Sequence, residues 1–429
     1  MDELLALIRA QKSGDAVGIA SVCSAHPLVL EAALQEAKAR GDCVLIEATC
    51  NQVNPFGGYT GLTPRAFVEQ VASIASRVGM PMQRVLLGGD HLGPNPWKSE
   101  AAVDALEKAT RMVSDYVLAG FRKIHLDCSM ACAGDAQVLP DALVARRAAQ
   151  LCLAAEGAWR SAGGPAPVYV IGTEVPTPGG ATEDLDTLAV TSTRSVEETL
   201  RAHREAFAAN GLQQAWPRVI ALVVQPGVEF DHHRVVDYVP RNAAALRVRI
   251  ESEAGLVYEA HSTDYQTPAL LRALVADHFA ILKVGPALTF ALREAFWALD
   301  ELDRQWHGDT TQSLRQTVLR AMRSDPRHWQ PYYTDEGRRE FDMQFSLSDR
   351  IRYYWPLPEV VTACEALFAR LGVEAMPASL LSQYLPRQYE SIRSGALEND
   401  ARAVVVEAVA GVLRDYAGAC GRPGAGLPA

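Results

Sequence analysis

Eight times between Ala16 and the region of Glu301 the chain passes from a short apolar run, through a polar or glycine- and proline-rich loop, into a stretch of helical periodicity. That grammar leaves few folds open. Neighbouring parallel strands need crossover connections, and apolar runs without polar alternation need cover on both faces. Eight successive strand-then-helix units predict an α/β fold, a closed TIM (β/α)8 barrel, which takes about 250 residues and tolerates additions. A doubly wound open sheet is the competitor, but it uses fewer strands, and no G-x-G-x-x-G turn follows the first apolar run.

The strands are expected at 16–22, 43–47, 84–87, 122–127, 168–174, 219–224, 256–260 and 279–284. Helices are expected at 28–40, from Thr63-Pro64 onward, at 99–119, 140–162 and 195–209, within 240–254, at 268–277, and after Gly285-Pro286. Thr63 as cap and Pro64 in the first turn are strong start signals. Beyond about Asp303 the strand grammar stops, and 312–322, 358–371 and 401–416 read as helices. The expected division is a barrel over 1–302 and a helical C-terminal extension over 303–429 packed on it. Within the extension, the aromatic and basic stretch from Phe345 to Pro356 is expected to pack on the barrel rather than on a partner.

With 48% hydrophobic and 21% charged residues the chain has material for a large core. A net charge of −10 argues against a general nucleic-acid binder and leaves small molecules or proteins as partners. The start Met1-Asp2-Glu3-Leu4 has no basic lead, and no apolar run nears the roughly 20 residues that span a bilayer, so no membrane role and a cytoplasmic location are expected. Eight cysteines scattered without paired spacing read as reduced thiols; Cys128 and Cys132 lack the second pair a structural zinc site needs.

In such a barrel the chemistry sits at the carboxyl ends of the strands. The polar residues there are Ser24 and His26, Glu47 and Asn51, Asp90 and His91, His125 and Asp127, Glu174, Gln225, His261 and Asp264, and Lys283. Imidazoles and carboxylates converging on one mouth suit a divalent metal, zinc first among them, and His91, Glu174 and His261 are the expected ligands. Such a metal would polarise a ketose carbonyl while Asp90, or Glu174 if it is not a ligand, moves a hydroxyl proton, with Glu47 and Asp264 as further acid-base candidates. Asp90 and His91 are adjacent, so only a strand end or a bulge brings both into one site. His125 and Asp127 share a strand face and read equally well as a buried pair. Lys283 admits two roles, a Schiff base with a ketose or a phosphate or carboxylate contact. The second is preferred, because Gly285-Pro286 opens a helix and the last two loops of such barrels often bind phosphate. Ser262, Thr263 and Gly285 would add donors there, and Ser24, His26 and Asn51 would line the substrate side.

Ser21-Val22-Cys23-Ser24-Ala25-His26-Pro27, Ile46-Glu47-Ala48-Thr49 with Asn51-Gln52-Val53-Asn54, Gly88-Gly89-Asp90-His91-Leu92-Gly93-Pro94-Asn95, His261-Ser262-Thr263-Asp264-Tyr265-Gln266 and Lys283-Val284-Gly285-Pro286-Ala287-Leu288 together resemble the GatZ/KbaZ-like family. The resemblance runs from the first strand into the extension. It implies a TIM barrel and a subunit of class II D-tagatose-1,6-bisphosphate aldolase, described as non-catalytic and supporting a separate catalytic subunit. A phosphorylated ketose would be the ligand, and a homo-oligomer is compatible with it. Asp90-His91 is also similar to the Asp-His pair of catalytic class II aldolases, in which the aspartate transfers a proton and the histidine binds zinc. A stand-alone metal-dependent ketose-phosphate aldolase or C4 epimerase is the alternative. Some family members carry a tagatose-6-phosphate kinase label, but this chain has no G-x-x-x-x-G-K-[ST] loop.

Overall fold

The strands that carry the fold are short, apolar and rich in valine, isoleucine and leucine, as burial on both faces demands. A computed structural model describes residues 1–172, 188–308 and 313–421. In chain order its strands are β1 (Ile19–Val22), β2 (Val44–Thr49), β3 (Val85–Leu92), β4 (Lys123–Leu126), β5 (Val168–Gly172), β6 (Val219–Val223), β7 (Glu229–Phe230), β8 (Val235–Val236), β9 (Val257–Ala260) and β10 (Phe279–Val284). Every barrel neighbour is parallel, and β1 pairs with both β2 and β10, which closes the TIM barrel. The strands β7 and β8 form a separate antiparallel hairpin in the loop after β6, which the sequence reading did not anticipate.

Helices connect consecutive strands and cover the outer face. The helix Pro64–Val78 starts where expected, with Thr63 Oγ1 accepting from the amide of Ala66, and stops at Gly79, whose φ of 72° closes the last turn. The helix Asp141–Ala162 fills the crossover from β4 to β5, and Pro286–His307 follows β10. At the amino-terminal end of the barrel, the helix Asp2–Lys12 lays Leu4, Leu7 and Ile8 against Ile19, Leu45, Leu86, Val170 and Ile281. Each of these buried aliphatic side chains contributes about 1.5–3 kcal/mol. That end is a packed apolar plug, so polar chemistry is confined to the other end.

The extension consists of helices including Leu314–Ser324, Pro358–Leu371 and Ala401–Cys420. The last packs against Pro286–His307, Pro268–Ala276, Pro27–Arg40 and β1. It buries Val404, Val405, Val409, Leu413 and Tyr416, and the amide of Gly18 donates to the carbonyl of Cys420. Arg402 pairs with Glu31, and Arg414 with Glu36 at 2.8 Å. The Phe345 to Pro356 stretch packs on the barrel, with Tyr354 and Trp355 buried. All eight cysteines are free thiols. Among the described residues no helix is long and apolar enough to cross a membrane.

Candidate functional site

The expected third strand ended at Leu87, but β3 runs on through the glycines and through Asp90-His91 to Leu92. Gly88 is where it can approach β2: a Cβ there would stand 2.7 Å from Glu47 Cγ, so the glycine makes room for a buried acid rather than for a ligand. Against β4, Gly89 pairs with Ile124 and Leu92 with Leu126, so Asp90 and His91 together oppose the single residue His125. That is a β-bulge, and His91 takes φ = 47° to make it. The bulge answers the adjacency problem, since both side chains turn to one site.

Below the bulge lies a layer of four buried charges. Lys123 Nζ sits 2.6 Å from Glu47 Oε1 and 2.6 Å from Glu259 Oε2, and all three residues are 0% exposed. Lys283 Nζ contacts Glu47 as well, stands 2.6 Å from Asp90 Oδ1 and 3.5 Å from Glu259 Oε1. Burial alone would lower the Lys283 ammonium, but Asp90 foremost, with Glu259 and Glu47, raises it well above the ordinary lysine value. It stays a cation, which disfavours the Schiff-base role that needs a neutral amine.

Above this layer, Asp90, His91, His125 and His261 bring one ligand atom each within 4.8 Å of one another. Every imidazole has its outer nitrogen fixed by an acceptor. His91 Nδ1 donates to Asp127 Oδ2 at 2.8 Å, His125 Nε2 to the carbonyl of Gly172 at 3.0 Å, and His261 Nε2 to Glu259 Oε1 at 3.0 Å. Such partners set the tautomer and turn the other nitrogen inward, as they do around bound metals. Burial holds His261 neutral, its pKa lowered to about 3. His125 Nδ1 accepts the His91 amide at 3.2 Å, a bond that must give way before its lone pair can meet a cation, and Asp90 Oδ1 stands 3.2 Å away. Burial would raise the Asp90 carboxyl and lower the His91 imidazole. Their mutual attraction wins in both cases, with Lys283 aiding Asp90 and Asp127 aiding His91, so Asp90 ends well below and His91 above its usual value. The field that favours a proton on His91 favours a metal cation equally. Three imidazoles and a carboxylate form a donor set of the zinc type.

Of the expected ligands, His91 and His261 meet here, while Glu174 lies outside the described residues. His125 and Asp127 are not a pair: each serves a different partner. Lys123 and Glu259 were missed. Their signal was present in Lys123-Ile124-His125-Leu126-Asp127, where alternation puts three polar groups on one face, and in an isolated glutamate inside Val257-Tyr258-Glu259-Ala260.

Between the cluster and the extension lies a cavity of about 510 Å3, lined by Ser24, His26, Asn51, Asp90, His91, His261, Ser262, Asp264, Lys283 and Gly285, and from the extension by Arg352, Tyr353 and Trp355 among others. Several expected phosphate contacts are engaged elsewhere. Lys283 is turned into its three carboxylates. Thr263 Oγ1 donates to the carbonyl of Lys283 and meets the Tyr416 hydroxyl, and Ser262 Oγ donates to Glu229 Oε2 at 3.1 Å. The amides of Gly285 and Ala287 both donate to Asp264 Oδ1, at 3.0 and 2.8 Å, so a carboxylate already occupies the helix start read as a phosphate seat. His26 Nδ1 likewise accepts the Leu28 amide as a helix cap, and Ser24 Oγ accepts the His26 amide. Glu47 lies beneath the cavity, sealed between two lysines.

Asp264 gives a pH prediction. Burial pushes its carboxyl up to about 6, against the pull of the Ala287 and Gly285 amides. A folded pKa above the unfolded value of about 3.9 means the native state binds more protons in between, so this residue's contribution falls as pH rises from about 4 to about 6. Subtracting the pH profile of Asp264→Asn from that of the wild-type chain, by denaturant titration, should expose a decline of roughly 3 kcal/mol across that window. A difference profile flat with pH would contradict this account of the buried acid.

A family model described as D-tagatose-1,6-bisphosphate aldolase subunit, GatZ/KbaZ-like, matches residues 4–421. The crystal structure of a probable tagatose 6 phosphate kinase from Sinorhizobium meliloti 1021 is 47% identical, with 93% of this chain and 99% of that chain covered and a TM-score of 0.86. The fructuronate-tagaturonate epimerase of Cohnella laeviribosi is 14% identical over 94% of this chain and 82% of its own, with a TM-score of 0.51, a likeness of fold.

Proposed function

Because the chain belongs to the GatZ/KbaZ-like family of D-tagatose-1,6-bisphosphate aldolase subunits, we propose that it binds a phosphorylated ketose at the barrel mouth and serves a class II aldolase system in carbohydrate breakdown beside a catalytic partner subunit. The barrel of 1–302 would supply the chemistry, and the extension of 303–429 would wall the cavity. The observation that carries the reading is the cluster of Asp90, His91, His125 and His261 at the cavity floor, each ring held by its own acceptor. Zinc or a similar divalent ion held there, with Glu174 as a further candidate ligand, would polarise the ketose carbonyl.

The chain's own groups then divide the remaining work. Asp90, an ionised carboxylate whose Oδ1 is engaged by the Lys283 ammonium, would take a hydroxyl proton at Oδ2. Lys283 keeps that carboxylate in place. Asp127 and Glu259 aim His91 and His261. Trp355 and Tyr353 line the cavity from the side of the extension.

All four residues of the cluster come from one chain, and this favours one second reading, a stand-alone aldolase or C4 epimerase acting on the same ketose phosphates. Phosphoryl transfer from ATP is the least favoured reading, since no G-x-x-x-x-G-K-[ST] loop is present. Cleavage and epimerisation of D-tagatose 1,6-bisphosphate, measured on the chain alone and with a class II catalytic subunit, separate the two readings.

The metal assignment is checked by metal analysis and zinc titration. His91→Ala should lose the bound ion, and Asp127→Asn, which removes only the orienting carboxylate, should weaken it about 10- to 100-fold. Equal metal content in the His91→Ala variant, or chelator-resistant activity with a borohydride-trapped ketose on Lys283, would overturn the assignment.

A further inference from the structure

The cavity has two walls, and the cations on them are not equivalent. Lys283 is spent on Glu47, Asp90 and Glu259, and Arg402 on Glu31. Arg352, brought in by the extension, is half-buried and, among the described residues, has no ion pair with a carboxylate. Its Nη1 donates to the carbonyls of Ser348 at 2.5 Å and Asp349 at 3.4 Å, its Nη2 stands 3.5 Å from the Tyr353 hydroxyl, and the guanidinium lies 5.0 Å from the Tyr353 ring centroid. These contacts fix the group without using all five of its N–H donors.

The segment that carries it is held with unusual thoroughness. Asp349 adopts φ = 45°, a strained value for a residue with a side chain. It is kept there by Arg293 Nε donating to Oδ1 at 2.8 Å and Thr289 Oγ1 donating to Oδ2 at 2.6 Å, both from Pro286–His307. The Tyr265 hydroxyl donates to the carbonyl of Leu347 at 2.6 Å, and the Leu347 amide to that of His232 at 3.0 Å, so the loops after β9 and β6 grip it too. Burial would raise the Tyr353 phenol, yet Arg352 and Arg350 bring it below the usual tyrosine value, a sign of local positive potential. Strain held by a buried ion pair, to present a cation to a cavity, is the pattern of a binding residue.

We propose that Arg352 is the receptor for the anionic end of the sugar in this cavity, so that the C-terminal extension, not the helix start after β10, supplies anion specificity. This rests on the ketose-phosphate reading for the identity of the sugar but not for the presence of an anion site. The guanidinium fork matches a phosphate monoester and also a carboxylate, and the test separates them.

Calorimetric titration of the chelator-treated chain with D-tagatose 1,6-bisphosphate, inorganic phosphate, a hexuronate and neutral D-tagatose reads the site without metal. Arg352→Gln should weaken the preferred anion about 10- to 100-fold while leaving D-tagatose binding, and the metal content of the untreated chain, unchanged, and Arg352→Lys should recover only part of the loss. Preference for the hexuronate would keep Arg352 as the receptor and overturn the phosphate reading instead. Undiminished anion binding by Arg352→Gln, an equal loss for D-tagatose, or no anion binding by the wild-type chain would overturn the proposal. If Arg352→Gln does not fold, as judged by near-ultraviolet circular dichroism, the Arg352→Lys comparison decides: anion affinity equal to the wild-type value counts against the fork.

Discussion

Lys123→Met is expected to lower the unfolding free energy by about 3–5 kcal/mol. The side chain is 0% exposed and bridges Glu47 and Glu259 at 2.6 Å each. Burial would lower its ammonium, but Glu259 and Glu47 raise it above the ordinary value, so the charge is firmly held. Methionine keeps most of the volume but strands two carboxylates on Lys283, which already serves Asp90. Removing one partner of a buried set costs more than the set contributes as a whole, because the remaining charges have no water to turn to. Denaturant unfolding at neutral pH checks the size of the loss. A double variant, Lys123→Met with Glu259→Gln, should lose less than the sum of the single changes, since one stranded charge disappears. Strict additivity would show that the layer is not a coupled unit.

Gly93→Ala should be nearly as damaging, for steric rather than electrostatic reasons. An ideal Cβ at Gly93 would stand 1.6 Å from the carbonyl oxygen of Asp127 and 2.8 Å from its carbon. Backbone cannot yield as a flexible side chain does, so the segments after β3 and β4 must part, at about 3 kcal/mol. Asp127 moves with its carbonyl, and with it the 2.8 Å bond that aims His91, so zinc affinity should fall together with stability. The contrast is Gly157→Ala, in the helix Asp141–Ala162, where nothing lies within 4 Å and alanine should stabilise by about 0.5–1 kcal/mol. Thermal unfolding and zinc titration of the two variants make the comparison, and a Gly93→Ala chain with unaltered metal affinity would break the link between Asp127 and the site.

How much of this was legible beforehand depends on the range of the interaction responsible. The eight barrel strands were readable because a parallel strand buried on both faces is mostly apolar, and helix starts such as Thr63-Pro64 are set by groups a few residues apart. Asp90, His91 and His261 were likewise marked, as polar groups ending apolar runs. The roles within the site were not. That Asp264 caps a helix, which acids Lys283 faces, and that His125 rather than Asp127 joins the cluster are outcomes of register between strands distant in sequence.

The sequence by itself determined that a barrel would form and that its carboxyl end would be polar, because both follow from local patterns of apolar and turn-forming residues. Only the tertiary structure decided which polar groups neutralise one another and which face the cavity. A one-residue bulge at Asp90-His91 sets the first. The seating of the extension, which carries Arg352 from far along the chain to the barrel mouth, sets the second. Charge pairing in a buried site depends on separations of a few ångströms, and no pattern along the chain encodes them.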